Sequence, residues 1–211
     1  MPRATQILRR AHRAIEDFDL LKILESELNH ELSTMRYQVD KTGSFGDFVV
    51  QYDSPQTQDV LLRKKCPSGE EVAVSALLGQ NTIEEDNHLP KEALMKVCIM
   101  KPGLSSVLQF DCVTANKGDC ETEVDIQSAH YIPSPSCLDS SSFYKGPVYS
   151  DLDPVLQQEL KKYLAARGIE ENFASSLLLH LHKKEQNQYM NWLQKLKDMM
   201  ARPTGDPGNQ T

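Results

Sequence analysis

The chain has 211 residues, a formal net charge of −7 and 39% hydrophobic residues, which supports one domain with a sizeable core and terminal tails rather than two full domains. No run of about eighteen apolar residues occurs, which excludes a membrane-spanning helix of ordinary length. The start also lacks the apolar stretch of a secretory signal, so the sequence favours an intracellular protein.

All charged residues among the first fourteen are basic. Arg3, Arg9, Arg10 and Arg13 stand there without any acid before Glu16. A basic, amphipathic start is typical of a mitochondrial targeting segment or its remnant, and we predict that role for residues 1–14. Residence in the cytosol or nucleus is the alternative.

An amphipathic helix is predicted next, from about residue 13 to residue 34. Its apolar positions recur every fourth residue at Leu20, Leu24, Leu28 and Leu32, with acids and amides between them. This helix opens the predicted folded domain, which covers residues 15–201.

The pattern then changes to the two-residue period of β-strands. Apolar residues alternate around positions 48–52, 60–62 and 72–76, and each run is closed by a turn sequence such as Ser-Pro or Cys-Pro-Ser-Gly. A second group covers residues 94–101, 107–114 and 121–132. We predict successive strands of one antiparallel sheet.

This middle region also carries the excess of acid. Sixteen acidic residues stand against nine basic ones between Asp40 and Tyr149. The sequence pattern predicts two exposed groups of acidic residues, one in a loop and one on a face of the last strand. They comprise Glu84, Glu85, Asp86, Glu121, Glu123 and Asp125. A face of one charge sign attracts cationic partners and repels nucleic-acid phosphate.

Two helices close the domain. Asp153-Pro154 is typical of a helix start and Gly168 of a helix end, so one helix is predicted over residues 154–167 with Val155, Leu156, Leu160, Tyr163 and Leu164 on its buried face. A longer helix follows from about Glu170 and ends at Arg202-Pro203; residues 202–211 are a predicted disordered tail.

The order of elements predicts an α+β fold, with helices segregated to one side of an antiparallel sheet. The apolar stripe of the last helix runs for about seven turns, and the sheet has a second face to cover. The chain thus has more apolar surface than a small monomer easily buries. Self-association and a long helix packed within one core are equally good explanations of this apolar surface.

No motif points to catalysis, a metal or a cofactor. His180 and His182 are the only close histidine pair, and at about 100° per residue their rings point apart on a helix. Gly43-Ser44-Phe45-Gly46 leads into a strand, so it fits a turn better than a nucleophile elbow. The five cysteines lack any Cys-x-x-Cys pair and are predicted to be free thiols. We therefore predict a protein that is not an enzyme.

The C-terminal half carries a resemblance to a known family. The segments Leu152–Leu156, Tyr163–Ala174 and Gln188–Leu196 resemble the signature end of the mitochondrial glycoprotein family, also called the mitochondrial acidic matrix proteins. The resemblance implies a ring-shaped homotrimer. Each protomer would be a strongly twisted antiparallel sheet of about seven strands with one N-terminal and two C-terminal helices. The implied core or oligomer positions are Leu24, Leu28, Phe173, Leu177, Tyr189, Trp192, Leu193 and Leu196.

The same resemblance implies a role. Members look like multifunctional binding proteins, scaffolds or chaperones of the mitochondrial matrix that bind basic proteins and support oxidative phosphorylation and mitochondrial translation. This chain departs from the family in having only Glu84-Glu85-Asp86 where a long acidic insertion is common. The alternatives are an RNA-associated factor for mitochondrial ribosome assembly and a hydrolase in the cleft of the ring.

Overall fold

The computed structural model describes residues 18–33, 44–79, 92–116, 122–134 and 144–201. The predicted α+β order is confirmed, and the described residues contain six strands where the sequence predicted about seven. The elements are α1 (18–33), β1 (Val49–Asp53), β2 (Val60–Lys65), β3 (Glu71–Leu78), β4 (Glu92–Met100), β5 (Val107–Asn116), β6 (Thr122–Ile132), a 3-10 helix (Tyr149–Asp151), α2 (Pro154–Ala165) and α3 (Glu171–Ala201).

The chain divides into two compact units. One unit combines α1 with α3 from residue 186 onward, and the other comprises β1 to β6, α2 and α3 up to residue 185. Predicted features at residues 1–14, 84–86 and 202–211 and at Glu121 lie outside the described residues.

The sheet is an antiparallel meander in which each strand pairs with its neighbours in sequence, in the order β1-β2-β3-β4-β5-β6. In β3 and β4 every second residue is buried, as the two-residue period predicts. Val74 lies opposite Val97, and Val97 lies opposite Phe110, so buried side chains of three strands meet on one face.

Helices α2 and α3 cover that face. Leu164 of α2 and Leu177 and Leu181 of α3 are fully buried in the same core as Phe110 and Leu62. Burying one leucine side chain contributes about 1.5–3 kcal/mol, so this cluster accounts for much of the stability of the unit.

The ends of α2 follow the chemistry predicted for them. The Asp153 carboxylate accepts hydrogen bonds from the backbone N–H groups of Val155 at 2.9 Å and Leu156 at 3.4 Å. After the helix, Gly168 has φ +87°, and a Cβ there would lie 3.1 Å from Lys64 Nζ. The left-handed backbone therefore favours glycine here, whereas the nearby Lys64 side chain could make room for a Cβ by a small shift.

The predicted buried face of α2 is correct only in its second half. Leu164 is buried and Leu160 and Tyr163 pack against the core, whereas Val155 is 67% and Leu156 46% exposed. The helix therefore reaches the core only from its second turn onward, and its capped first turn stays in solvent.

Strand β1 is likewise exposed along its whole length. It is an edge strand that pairs only with β2, and its register shifts between Val50 and Tyr52. Such an irregularity interrupts the alternation of faces that the sequence pattern suggested.

The unit built from α1 and the end of α3 has its own small core. Leu24, Leu28 and Leu193 are buried, and Tyr189, Leu196 and Met200 pack against them. Polar contacts join the same helices. The Tyr189 hydroxyl donates to Glu27 at 3.0 Å, and Lys197 pairs with Glu25 at 3.1 Å.

Candidate partner-binding surface

The acidic strand predicted from the sequence is β6, and a lysine of α2 reaches its carboxylates. Lys161 Nζ lies 3.6 Å from Glu123 Oε1 and 3.8 Å from Asp125 Oδ1. The side chains of Glu123, Asp125 and Lys161 are 39%, 43% and 47% exposed. The group is thus partly accessible to a partner, and both contacts of Lys161 are longer than an ordinary charged hydrogen bond.

The placement of these carboxylates follows from strand alternation. Glu123 and Asp125 alternate with Val124 and Ile126, which pack against the core. Because β6 is an edge strand and α2 packs on the core face, Lys161 meets the acidic side chains at the border of the sheet. We call Glu123, Asp125 and Lys161 the β6 acidic group.

Negative charge near β5 and β6 also affects buried groups. Burial, together with Asp111 and Asp125, raises the pKa of the Cys112 thiol to about 12. Burial, together with Cys112 and Asp125, raises the pKa of the Tyr149 hydroxyl. A thiol with so high a pKa stays protonated and is a poor nucleophile, so Cys112 is a packing residue.

A second network on β5 and β6 contains serine, histidine and aspartate. Asp111 accepts hydrogen bonds at 3.0 Å from both Gln109 Nε2 and Ser128 Oγ, and His130 Nε2 lies 3.3 Å from the same carboxylate. The other ring nitrogen of His130 contacts the carbonyl of Lys145. In a hydrolytic triad the histidine lies between serine and carboxylate, whereas here Ser128 donates directly to Asp111. The network therefore joins strands to the segment before α2 rather than activating a nucleophile.

The histidine of α3 that the sequence singled out has a carboxylate partner. His180 Nε2 lies 2.8 Å from Asp53 Oδ2, and Lys184 Nζ lies 2.6 Å from Asp53 Oδ1 and 2.7 Å from the carbonyl of Asp59. Burial raises the pKa of Asp53, but the hydrogen bonds from Lys184 and His180 outweigh it, and the pKa is lowered. This cluster attaches the edge strand β1 to α3.

An arginine at the end of α2 forms the most buried ion pair. Arg167 Nη2 donates to both carboxylate oxygens of Glu70, at 2.7 and 3.0 Å, and Nη1 donates to the carbonyl of Tyr163 at 2.9 Å. Its guanidinium also lies over the Tyr163 ring, 3.4 Å from the centroid. Arg167 thereby ties the end of α2 to the turn that precedes β3.

The predicted helix positions fall into two groups. Phe173 and Leu177 belong to the core of the sheet, whereas Leu24, Leu28 and Leu193 form the core of the other unit, with Tyr189 and Leu196 packed on it. Trp192 is 54% exposed and stacks on Tyr189 with ring centroids 6.0 Å apart. The role of these residues between copies of the chain stays a prediction.

Lys161 is not among the residues that the sequence pattern placed on the acidic surface. Nothing in the spacing between β6 and α2 indicates the contact, because 36 residues of chain separate Asp125 from Lys161. In the part of the chain that the structure describes, no group of three or more His, Cys, Asp or Glu side chains is arranged to hold a metal ion. None of the described helices is both long and apolar enough to cross a membrane.

Comparison with known proteins gives a consistent result. The family model described as mitochondrial glycoprotein matches residues 24–200. A mitochondrial protein of Arabidopsis thaliana, itself uncharacterised, is 25% identical over an alignment of 192 residues, and the alignment covers 86% of this chain and 74% of that protein. The mitochondrial acidic protein mam33 of Schizosaccharomyces pombe is 29% identical over an alignment of 111 residues, and the alignment covers 48% of this chain and 39% of that protein.

Two solved structures share the fold. A protein of Leishmania major described as a sequence homologue of human p32 superposes with a TM-score of 0.67 at 18% identity, covering 88% of this chain and 99% of that one. The p22 protein of Trypanosoma brucei gives a TM-score of 0.66 at 20% identity, covering 89% of this chain and 100% of that one.

Proposed function

The chain belongs to the mitochondrial glycoprotein family, and we propose that it acts as a non-enzymatic binding protein, scaffold or chaperone that recognises basic protein partners. The observation that carries the proposal is the accessible pair of carboxylates on β6, Glu123 and Asp125, in a region where acids outnumber bases. Such a surface attracts cationic partners over a distance of about a Debye length.

The place of action in this proposal is the mitochondrial matrix, where the protein supports oxidative phosphorylation and mitochondrial translation. Two observations support a mitochondrial location. The relatives in Arabidopsis and fission yeast are both named as mitochondrial proteins, and the first fourteen residues of this chain are purely basic.

The binding proposal is tested with a basic peptide in a salt series. Neutralising the strand with Glu123→Gln and Asp125→Asn should weaken binding by about threefold per carboxylate at low salt, because accessible ion pairs contribute up to about 1 kcal/mol each. The matched control is Asp47→Asn with Asp198→Asn, which changes the net charge equally at exposed carboxylates that do not belong to β6. Equal weakening by both double variants would show that only net charge matters and would remove β6 from the proposal.

We further propose that the protein assembles as a homotrimer through the helices. The exposed side chain of Trp192, the exposed Phe18 and Ile23 of α1, and the small size of the Leu24, Leu28 and Leu193 core support this. Light scattering should give three times the protomer mass of 23.8 kDa, with no dependence on salt, since apolar packing is little screened.

The matched test of assembly compares two exposed apolar residues. Trp192→Gln should lower the mass of the assembly measured by light scattering. It should leave the helical circular dichroism signal intact, because the Trp192 side chain is half exposed in the single chain. Leu104→Gln, in the turn between β4 and β5, removes a similarly exposed apolar side chain and should leave the mass unchanged. A Trp192→Gln protein of unchanged mass would contradict the assignment of this helix face.

The RNA-associated alternative receives less support from the described residues. Many of the described lysines already pair with acids. These pairs include Lys64 with Asp47, Lys65 with Glu71, Lys101 with Glu70, Lys161 with Glu123, Lys162 with Glu159, Lys184 with Asp53 and Lys197 with Glu25. Phosphate binding would have to displace these carboxylates. RNA binding with a steep salt dependence would reverse this preference.

A further inference from the structure

A pocket opens directly beside the β6 acidic group. Its volume is about 310 Å³, and its walls come from β6, α2 and the start of α3. Lys161 and Glu123 lie on its rim together with Glu170 and Glu171. This volume is at the lower end of the range of ligand pockets, so the space suits one side chain rather than a larger molecule.

The floor of the pocket is apolar. Ile126, Leu164 and Ile169 line it and belong to the buried core of the sheet. An apolar floor below a ring of carboxylates matches the two parts of a lysine or arginine side chain, whose methylene stem packs on apolar surface while its charged end stays at the rim.

The charge of the lining favours a cation over an anion. Three carboxylates, Glu123, Glu170 and Glu171, face one ammonium group, that of Lys161. Glu171 lies in the first turn of α3 and offsets the positive end of that helix, which would otherwise attract an anion.

Lys161 shows how the site treats a cation. Its ammonium group sits between Glu123 and Asp125 at 3.6 and 3.8 Å, so the chain places one of its own primary amines at these carboxylates. The contact is half exposed and longer than a charged hydrogen bond, and an incoming guanidinium can make shorter, paired bonds to the same oxygens.

We propose that this pocket receives one lysine or arginine side chain of a basic partner protein, and that Lys161 competes with that side chain for Glu123. The inference rests on the proposed binding of basic proteins. It adds the pocket as the binding site and Lys161 as a competitor within the chain. Removal of Lys161 then strengthens partner binding beyond the effect of one unit of net charge.

The test uses two neighbouring lysines of α2. Lys161→Gln and Lys162→Gln remove the same charge, but Lys162 pairs with Glu159 at 2.8 Å, and neither residue of that pair lines the pocket. With a fluorescein-labelled octa-arginine peptide at low salt, Lys161→Gln should bind about threefold tighter than Lys162→Gln. Glu171→Gln, which leaves the β6 carboxylates in place, should weaken binding by a similar factor.

The location is read from methyl NMR of isoleucine-labelled protein. Peptide titration should shift the methyl signals of Ile126 and Ile169 with the same Kd as the fluorescence, while Ile99 serves as a buried reference that does not line this pocket. If the peptide binds but Lys161→Gln and Lys162→Gln are equal and these methyl groups do not shift, the pocket proposal is overturned and the proposed function stands. If octa-arginine binds no form of the protein at low salt, both proposals fail.

Discussion

Removal of the Arg167 guanidinium should destabilise the sheet unit far more than its position at a helix end suggests. The side chains of Arg167 and Glu70 are only 13% and 12% exposed, and the two hydrogen bonds from Arg167 Nη2 to the carboxylate oxygens measure 2.7 and 3.0 Å. The change Arg167→Met keeps most of the aliphatic volume and leaves Glu70 as a mostly buried carboxylate without its main partner.

The expected cost follows from that unpaired charge. Breaking a buried ion pair by removing one partner costs about 3–5 kcal/mol. Lys101 Nζ lies 4.0 Å from Glu70 and compensates part of the charge, so we expect a loss near the lower end, about 3 kcal/mol. Loss of the guanidinium from the Tyr163 ring adds about 0.5–1 kcal/mol.

Urea unfolding followed by circular dichroism measures the effect as a shift in midpoint. The double variant Arg167→Met with Glu70→Gln should recover a large part of the loss, because it removes the uncompensated charge as well as the pair. Arg167→Lys should be intermediate, since lysine keeps the charge without the paired hydrogen bonds. A loss below about 1 kcal/mol for Arg167→Met, or a double variant as unstable as the sum of the single ones, would refute the reasoning.

Two further predictions concern titratable groups. Because the pKa of the buried Cys112 thiol is raised to about 12, maleimide at pH 8 should modify Cys112 only as fast as the protein unfolds, whereas the partly exposed Cys66 should react earlier. Mass spectrometry of the labelled peptides distinguishes the two cysteines. Rapid labelling of Cys112 would contradict the burial of its thiol. Since the pKa of Asp53 is lowered in the folded protein, its contacts with Lys184 and His180 stabilise the fold above the ordinary aspartate pKa of about 3.9 and lose that effect as the pH falls through the lowered value. Urea midpoints of the unchanged protein and of Asp53→Asn should therefore differ at pH 7, and the difference should become smaller as the pH falls below the ordinary aspartate pKa. A difference that stays constant with pH would contradict the linkage.

The order of elements was predictable because it depends on local periodicity. Repeats of four in α1, repeats of two in β3 and β4, and the end signals Asp153 and Gly168 act within a few residues of the chain. The prediction that failed, the extent of the buried face of α2, depends on where the helix lies in the tertiary structure. Leu156 lies on the same helix face as Leu160 and Tyr163, yet it is 46% exposed because only the later turns of α2 meet the sheet. Val155 is exposed for a different reason, since it lies about 180° around the helix from Leu164. No local pattern states where along a helix the core begins.

The residues of the candidate site also fall into those that a local pattern identifies and those that only tertiary packing brings together. Glu123 and Asp125 could be identified as one face of a strand because alternation alone places them together, whereas Lys161, Glu170 and Glu171 reach the same pocket through the packing of α2 and α3 on the edge of the sheet. That packing changes the chemistry of the acidic strand, since a surface that looks purely anionic in sequence already contains a cation in the folded chain. In the proposed binding of basic partners, the affinity is the difference in free energy between two similar ion pairs, one with Lys161 and one with the partner. We expect this difference to be small enough for single charges on the partner to decide it.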